Sequence, residues 1–366
     1  MELTRIALSN VRNYAALDFE PAPGLNVFVG ANAQGKSNLL EAISLLGTGK
    51  SFRTNRESDL IRDGLDVASV IGEAKIRAGT VKLGCTIAAS AKGTRKLYAV
   101  NGQGVRYAKF LGSLRVVTFV PADLHLVGGP PGERRALLNV ALSQELPAYY
   151  RELARYQKAL AQKSAVLRSL EPDRDLLEIY NATLVEAGTA LVLARRHFVA
   201  AVSVAAARMH ALWTDEAESL VARYEPNVPF ETPTQDGVSG ALFARLRAVA
   251  PAELARKMAL AGPHRDDLTL LLDGRPLAAY GSQGQQRTAV LALKIGEYTV
   301  MHERSGEAPL LLLDDVLSEL DASRAQAFLD MVGTYGQAFV TTTHLPEGLA
   351  PAAVFDITAG TLRAAV

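Results

Sequence analysis

The chain has 366 residues, 49% of them hydrophobic, enough for one large domain or two lobes with a real core. No apolar run approaches the roughly 20 residues of a membrane span, the N-terminus lacks a secretory apolar segment, and Cys85 is the only cysteine, so an internal disulfide is excluded and a cytoplasmic protein with no membrane partner is expected. The net charge of +1 hides an asymmetry, with 18 Lys/Arg against 11 Asp/Glu in residues 1–140 and 9 against 14 in residues 251–366; a basic first third fits either an anionic partner or an ordinary solvated surface.

In chain order, residues 2–8 and 14–20 predict short strands around a polar turn at Asn10–Asn13. Leu25–Val29 is a mostly apolar run and predicts a buried strand. Asn38–Leu46 places Leu39, Ala42, Ile43 and Leu46 at helical spacing, with Gly47 as the stop. From Asp66 to Val120, short alternating segments separated by glycine turns, Asn101-Gly102 among them, predict an antiparallel meander. Residues 132–225 are rich in Ala and Leu and nearly free of Gly, which predicts helix. The stretch PNVPFETPTQDGVSG, 226–240, breaks that block. A hairpin with its turn at Asp273-Gly274 follows, then a helix, a strand at Leu310–Leu313, a second helix and a strand at Ala338–Thr342.

Between the buried strand and the first helix lies Gly30-Ala31-Asn32-Ala33-Gln34-Gly35-Lys36-Ser37, a full match to G-x-x-x-x-G-K-[ST] in the strand–loop–helix context the motif requires. The glycines let the backbone wrap close to phosphates, and the N–H groups and helix dipole face the negative charge. Lys36 suits the β- and γ-phosphates of a nucleotide triphosphate, and the Ser37 hydroxyl suits Mg2+. LLLLDDV, Leu310–Val316, ends in two carboxylates: Asp314 fits the Mg2+ position, and Asp315 fits a base for the attacking water. His344 follows another apolar strand in AFVTTTH. Alone it would be structural; beside the two acids it suits polarising the γ-phosphate or the water. YGSQGQQR, Tyr280–Arg287, opens a helix with phosphate-binding chemistry but no lysine. Local physics allows two readings. It is either a second anion-facing surface built on Ser282 and Gly284, or an ordinary N-cap in which Ser282 and Gln285 form a capping box.

The order of P-loop, SQGQQR, strand-Asp-Asp, SELD at Ser318–Asp321 and TTTH resembles the ATP-binding-cassette ATPases of the SMC class. LSNVRNY, GKSFRTNRESDLIRDG at Gly49–Gly64, PADLHLVGGPPGERRALLN at Pro121–Asn139 and AGPHRDDL at Ala261–Leu268 narrow the resemblance to the RecF family of bacterial recombinational repair. The resemblance implies an α/β ATPase head with an antiparallel meander and a compact helical insert. Its parts would be an N-terminal lobe over 1–140, a helical arm over 141–240 and a C-terminal lobe over 241–366. It implies that Ser282, Gly284 and Gln285 meet the γ-phosphate held by a second subunit, with Asp321 on the same seam, so that ATP joins two heads into a homodimer. It further implies DNA binding at single-strand gaps or junctions, slow hydrolysis that releases the DNA, and work with RecR, and through it RecO and RecA.

The chain departs from the wider class in two places. The segment FVPADLHLV lacks the glutamine that often touches Mg2+ between lobes, leaving Asp123 as the candidate. Asp315 stands where Glu is usual. The insert between about 140 and 235 is too short for a long coiled coil and nearly neutral, so DNA contact is expected on the first lobe, among Arg53, Arg56, Lys75, Arg77, Lys92, Arg95 and Lys96. The alternatives are a transporter cassette and an ATPase that switches protein partners.

Overall fold

The computed structural model describes residues 1–365 except 92, 215, 317–327, 329–331, 333–334 and 346–350. By internal packing the chain divides into two units, Met1–Asp123 with Glu297–Val366, and Leu124–Gly296.

The first unit begins with β1 (Glu2–Val11), which buries Leu3, Ile6, Leu8 and Val11 and pairs antiparallel with β2 (Tyr14–Phe19). β3 (Leu25–Val29) is the expected buried strand, and it leads through residues 30–35 into α1 (Lys36–Thr48). The helix runs through Gly47 and ends at Gly49, whose φ of 63° and N–H bond to Leu45 O close the last turn. Gly47 is therefore not the stop. A Cβ there would lie 2.6 Å from Val116 Cγ2, so the glycine permits close packing against a strand.

β4 (Val67–Ile76), β5 (Gly79–Ser90), β6 (Gly93–Val100) and β7 (Gln103–Val105) form the predicted meander. Asn101 and Gly102 turn at φ 52° and 77°, the left-handed pair that a two-residue hairpin needs. With β1 and β2 these strands make one sheet in the order β2-β1-β4-β5-β6-β7. After a short turn of helix, α2 (Tyr107–Phe110), comes β8 (Val116–Phe119). The meander was expected to extend to Val120, but β8 leaves it and pairs parallel in the second sheet. Its apolar run VVTF is buried on both faces, as parallel strands are.

The second unit holds α3 (His125–Gly128), α4 (Pro131–Glu145), α5 (Pro147–Arg168) and α6 (Arg174–Trp213). Helix was expected through residue 225, yet α6 stops at Trp213 and β9 (Leu220–Glu225) follows, with the alternation LVARYE. Then come α7 (Gln235–Arg256), β10 (Asp267–Leu272), β11 (Arg275–Pro276) and α8 (Leu277–Tyr280). The turn at Asp273-Gly274 is as expected, with φ 50° and 76°. β9 adds itself to this hairpin antiparallel, giving the order β11-β10-β9.

By length and composition, α6 could cross a membrane: an 18-residue window has mean hydropathy 1.5. In this unit it packs on α5, α7 and β9, with one face buried and Ile179, Val204 and Leu212 exposed. Its Arg195, 2% exposed, pairs with Asp266 at 3.0 Å.

α9 (Gln283–Ser305) carries the chain back to the first unit. There β12 (Leu310–Asp314), β13 (Ala338–Thr342), β14 (Ala353–Thr358) and β15 (Thr361–Ala364) complete a sheet in the order β15-β14-β3-β13-β12-β8. All its strands are parallel except β15. α1 packs on strands of both sheets, which is why Leu39, Leu40, Ile43, Leu45 and Leu46 are all buried.

The units differ from the expected bounds at 140 and 240. Residues from Leu124 on, and those up to Gly296, belong with the helices. Bidentate bonds from Arg134 to Asp267, at 2.6 and 2.9 Å, and the β9–β10 pairing tie these segments together.

Candidate nucleotide site

β3 brings the loop to the carboxyl edge of the parallel sheet, where ligands of α/β folds commonly bind. Two of its glycines have no substitute. A Cβ on Gly30 would sit 2.4 Å from Ile357 O, and one on Gly35, at φ 117°, would sit 2.6 Å from Asn13 Nδ2. Ala33 also has a left-handed φ, 65°. Ala31, Asn32 and Ala33 are exposed.

The loop is braced from outside. Asn13 Nδ2 donates to Gln34 O at 2.9 Å and Tyr14 Oη donates to Gly35 O at 3.0 Å. The β14–β15 turn donates Ala359 N–H to Gln34 Oε1 and Gly360 N–H to Gln34 O, at 2.8 and 3.0 Å. Sequence reading assigned none of these braces. Asn13 and Tyr14 lie in the quoted LSNVRNY, but their partners are 21 residues away.

Lys36 is 7% exposed, and its Nζ donates to Gly30 O at 2.7 Å and Ala31 O at 2.9 Å. Burial pulls its ammonium below the ordinary lysine value, while Asp315 and Asp314 act in the opposite direction. The lysine thus spans the loop it would serve.

Asp314 ends β12 and is 7% exposed. Its Oδ1 accepts from Ser37 Oγ at 2.7 Å and from Thr341 Oγ1 at 2.8 Å. Strand register explains the meeting: Asp314 lies beside Thr341 on β13, and Thr342 beside Val29 on β3. Asp315 turns out of the strand at φ 53°, and its N–H donates to Thr341 Oγ1 at 2.9 Å. His344 lies two residues past β13, exposed, with Nδ1 3.1 Å from Thr343 Oγ1. Asp123 accepts the Val120 N–H on Oδ2 at 2.8 Å, closing its own turn. Among the described residues no group of three His, Cys, Asp or Glu side chains could hold a metal. The Ser37–Asp314 pair offers two hard oxygen donors, which suits a cation that keeps water and phosphate oxygens.

At the start of α9 the capping box is present. Ser282 N–H donates to Gln285 Oε1 at 2.8 Å, and Gln285 N–H donates to Ser282 Oγ at 3.2 Å. Ser282 and Gly284 are exposed. Asp321, with the rest of SELD, lies outside the described residues, as does Lys92.

Of the other basic candidates, Lys75 and Lys96 stand well apart on their sheet. Arg53 bonds Asn38 on α1, and Arg56 is exposed nearby. Lys75 pairs with Glu2 at 3.5 Å, and Arg77 is exposed just past the end of β4. Arg95 and Lys96 point to opposite faces of β6. Lys96, across β5 from Ala68, is seven residues along the sheet from Lys75, about 23 Å at 3.3 Å per residue. Lys96 is also no surface cation: its side chain is 9% exposed, held by Glu57 at 2.9 Å and Gly49 O at 3.0 Å. Its aliphatic stem and charge are both used in the fold.

The family described as RecF/RecN/SMC N terminal domain matches residues 2–355. A DNA replication and repair protein RecF of Symbiobacterium thermophilum is 40% identical over 95% of this chain and 92% of its own. That of Geobacillus thermodenitrificans is 36% identical over 100% of both chains. Among solved structures, that of the recombination mediator protein RecF with ATP in the RecFOR pathway superposes with a TM-score of 0.92 at 30% identity, covering 100% of this chain and 98% of that one.

Proposed function

The chain belongs to the RecF family, within the RecF/RecN/SMC N-terminal-domain group, and from that premise we propose that it is an ATP-dependent DNA-binding protein of recombinational repair and replication restart. The observation that carries this reading is the convergence of Lys36, Ser37 and Asp314 at one sheet edge, beneath an exposed glycine-hinged loop.

In this reading the loop N–H groups and the α1 dipole receive the phosphates of ATP. Lys36 exchanges the Gly30 and Ala31 carbonyls for β- and γ-phosphate oxygens. Ser37 and Asp314 would hold Mg2+, which when bound neutralises phosphate charge. Asp315 takes the proton of the attacking water, and His344 hydrogen-bonds the γ-phosphate or that water. A second copy presents the helix start at Ser282–Gln285 to the same γ-phosphate, with Ser282 and Gly284 facing it and Gln285 bracing them, so that ATP closes a two-fold dimer. Slow hydrolysis at this composite site opens it and releases DNA. The proposed partners are gapped or junction DNA and RecR, and through it RecO and RecA, in the cytoplasm.

Binding of gapped, single-stranded and duplex DNA, each with ATP plus Mg2+ and without nucleotide, over a salt series tests the reading. Salt-sensitive binding that requires ATP is expected. DNA binding that is absent, or equal in both states, would contradict it.

A further inference from the structure

The Gln285 carboxamide is held from two sides. Its Oε1 accepts the Ser282 N–H at 2.8 Å, and its Nε2 donates to Glu218 Oε1 at 2.8 Å. Glu218 lies in the segment between α6 and β9 and is 23% exposed. Its Oε2 is 3.5 Å from Nε2 of His210, a fully buried residue in the last turn of α6. The neighbouring Ser219 fastens the same segment to the β10–β11 turn, through paired bonds of 2.9 Å with Asp273.

An amide can present either its oxygen or its NH2 in almost the same space. A carboxylate only accepts hydrogen bonds. Facing Glu218, the Gln285 side chain must direct its NH2 outward to the carboxylate, which leaves its oxygen for the Ser282 N–H. Turned the other way, NH2 would meet N–H at Ser282 and oxygen would meet carboxylate at Glu218. Glu218 thereby selects the one amide orientation that caps the helix.

A second fixing point lies 11 residues further along α9. A Cβ on Gly296 would stand 2.9 Å from both Ala206 N and Val202 O of α6, so the two backbones touch with no side chain between them. Two points about 16 Å apart on a helix, at 1.5 Å per residue, leave α9 little freedom to slide or turn against α6.

We infer that Glu218 is a positioning residue of the composite ATP site: acting through Gln285, it sets where the Ser282–Gly284 backbone stands and links the long helix α6 to closure on the γ-phosphate of a second copy. This rests on the proposed action of Ser282 in trans.

The test compares ATP-driven dimerisation, by sedimentation of the full chain, with ATP affinity of the single chain measured with a fluorescent ATP analogue. Glu218→Ala is expected to weaken dimerisation roughly tenfold, the effect of about one lost hydrogen bond, and to leave single-chain ATP affinity unchanged. Glu218→Gln, which can keep an oxygen acceptor towards Gln285, is expected to stay within about twofold of the wild type. Gln285→Glu places two carboxylates face to face and is expected to impair dimerisation; adding Glu218→Gln restores one donor and should recover it. The inference is overturned if Glu218→Ala dimerises normally while Ser282→Arg does not, or if the double exchange gives no recovery. Should Ser282→Arg itself still dimerise with ATP, the composite-site reading fails, and the inference fails with it.

Discussion

Lys36 is held by oxygen atoms that a nucleotide would replace. Gly30 O and Ala31 O accept two bonds from its Nζ, while burial holds the ammonium below its ordinary pKa against the opposing charges of Asp315 and Asp314. Lys36→Met keeps the length and removes the charge. The expected outcome is a ten- to hundredfold loss of ATP affinity, the range of a charge-assisted bond, with the unfolding temperature nearly unchanged; wild-type affinity would remove Lys36 from the site. A second residue speaks through pH. Burial pushes His264 down to about 4 from 6.5, and its Nδ1 lies 2.6 Å from Tyr156 Oη. Between those two values the unfolded chain binds a proton that the folded chain refuses. Stability is therefore complete above pH 6.5 and falls as pH drops towards 4, by up to about 3 kcal/mol. Urea midpoints measured from pH 7.5 to 4.5 should show this slope, and His264→Gln should flatten it. At this scale the sequence was informative where chemistry dictates composition: the loop of residues 30–37 and the Asp314-Asp315 pair could be picked out because phosphate and cation binding demand those residue types. Asn13 and Tyr14 could not, because bracing a loop demands only some donor at the right place. Nor could the burial of Lys96, since no pattern in its own strand reveals Glu57 beside it.

Among the elements, periodicity located most of the first unit. β3, β12 and β13 are short, mostly apolar segments, and the turns at Asn101-Gly102 and Asp273-Gly274 have the left-handed geometry their residues favour. The misses have physical causes. Three apolar residues and a threonine at β8 look alike in a meander and in a parallel sheet, and only pairing with β12 decides. β9 follows a helical block without a strong break, and its strand state comes from β10. α7 starts inside a Pro- and Gly-rich stretch, capped by Thr234, whose Oγ1 accepts the Gly237 N–H at 3.1 Å. Gly47 shows the same limit within a helix: its role lies in Val116, not in helix ending. Gly47→Ala would normally help a helix by about 1 kcal/mol. Here the added methyl meets a stiff β-branched side chain and Leu114 O at 3.1 Å, so a net loss of about 1–3 kcal/mol is expected. Thermal unfolding should show it, and Val116→Ala in the same chain should recover part of it. A stabilised single variant would mean that α1 and β8 are less closely packed than described.

For the molecule as a whole, the two halves of the proposed site belong to different packing units. Lys36, Ser37 and Asp314 lie in the unit of Met1–Asp123 and Glu297–Val366, and Ser282, Gly284 and Gln285 lie in Leu124–Gly296. The first set has its own lysine and acid; the second has an exposed helix start, tied down by Glu218, and no lysine in its motif. A second copy of the chain is the partner that would use both. ADP lacks the γ-phosphate, so it should not join two copies. Ser282→Arg should fill the approach to the helix start while leaving ATP affinity of the single chain intact. Sedimentation at micromolar protein with ATP plus Mg2+, with ADP plus Mg2+ and without nucleotide tests this most directly. The account predicts a dimer in the first state alone, and a monomer in all three for Ser282→Arg. A wild-type monomer in every state, or a Ser282→Arg variant that still dimerises with ATP, would contradict it.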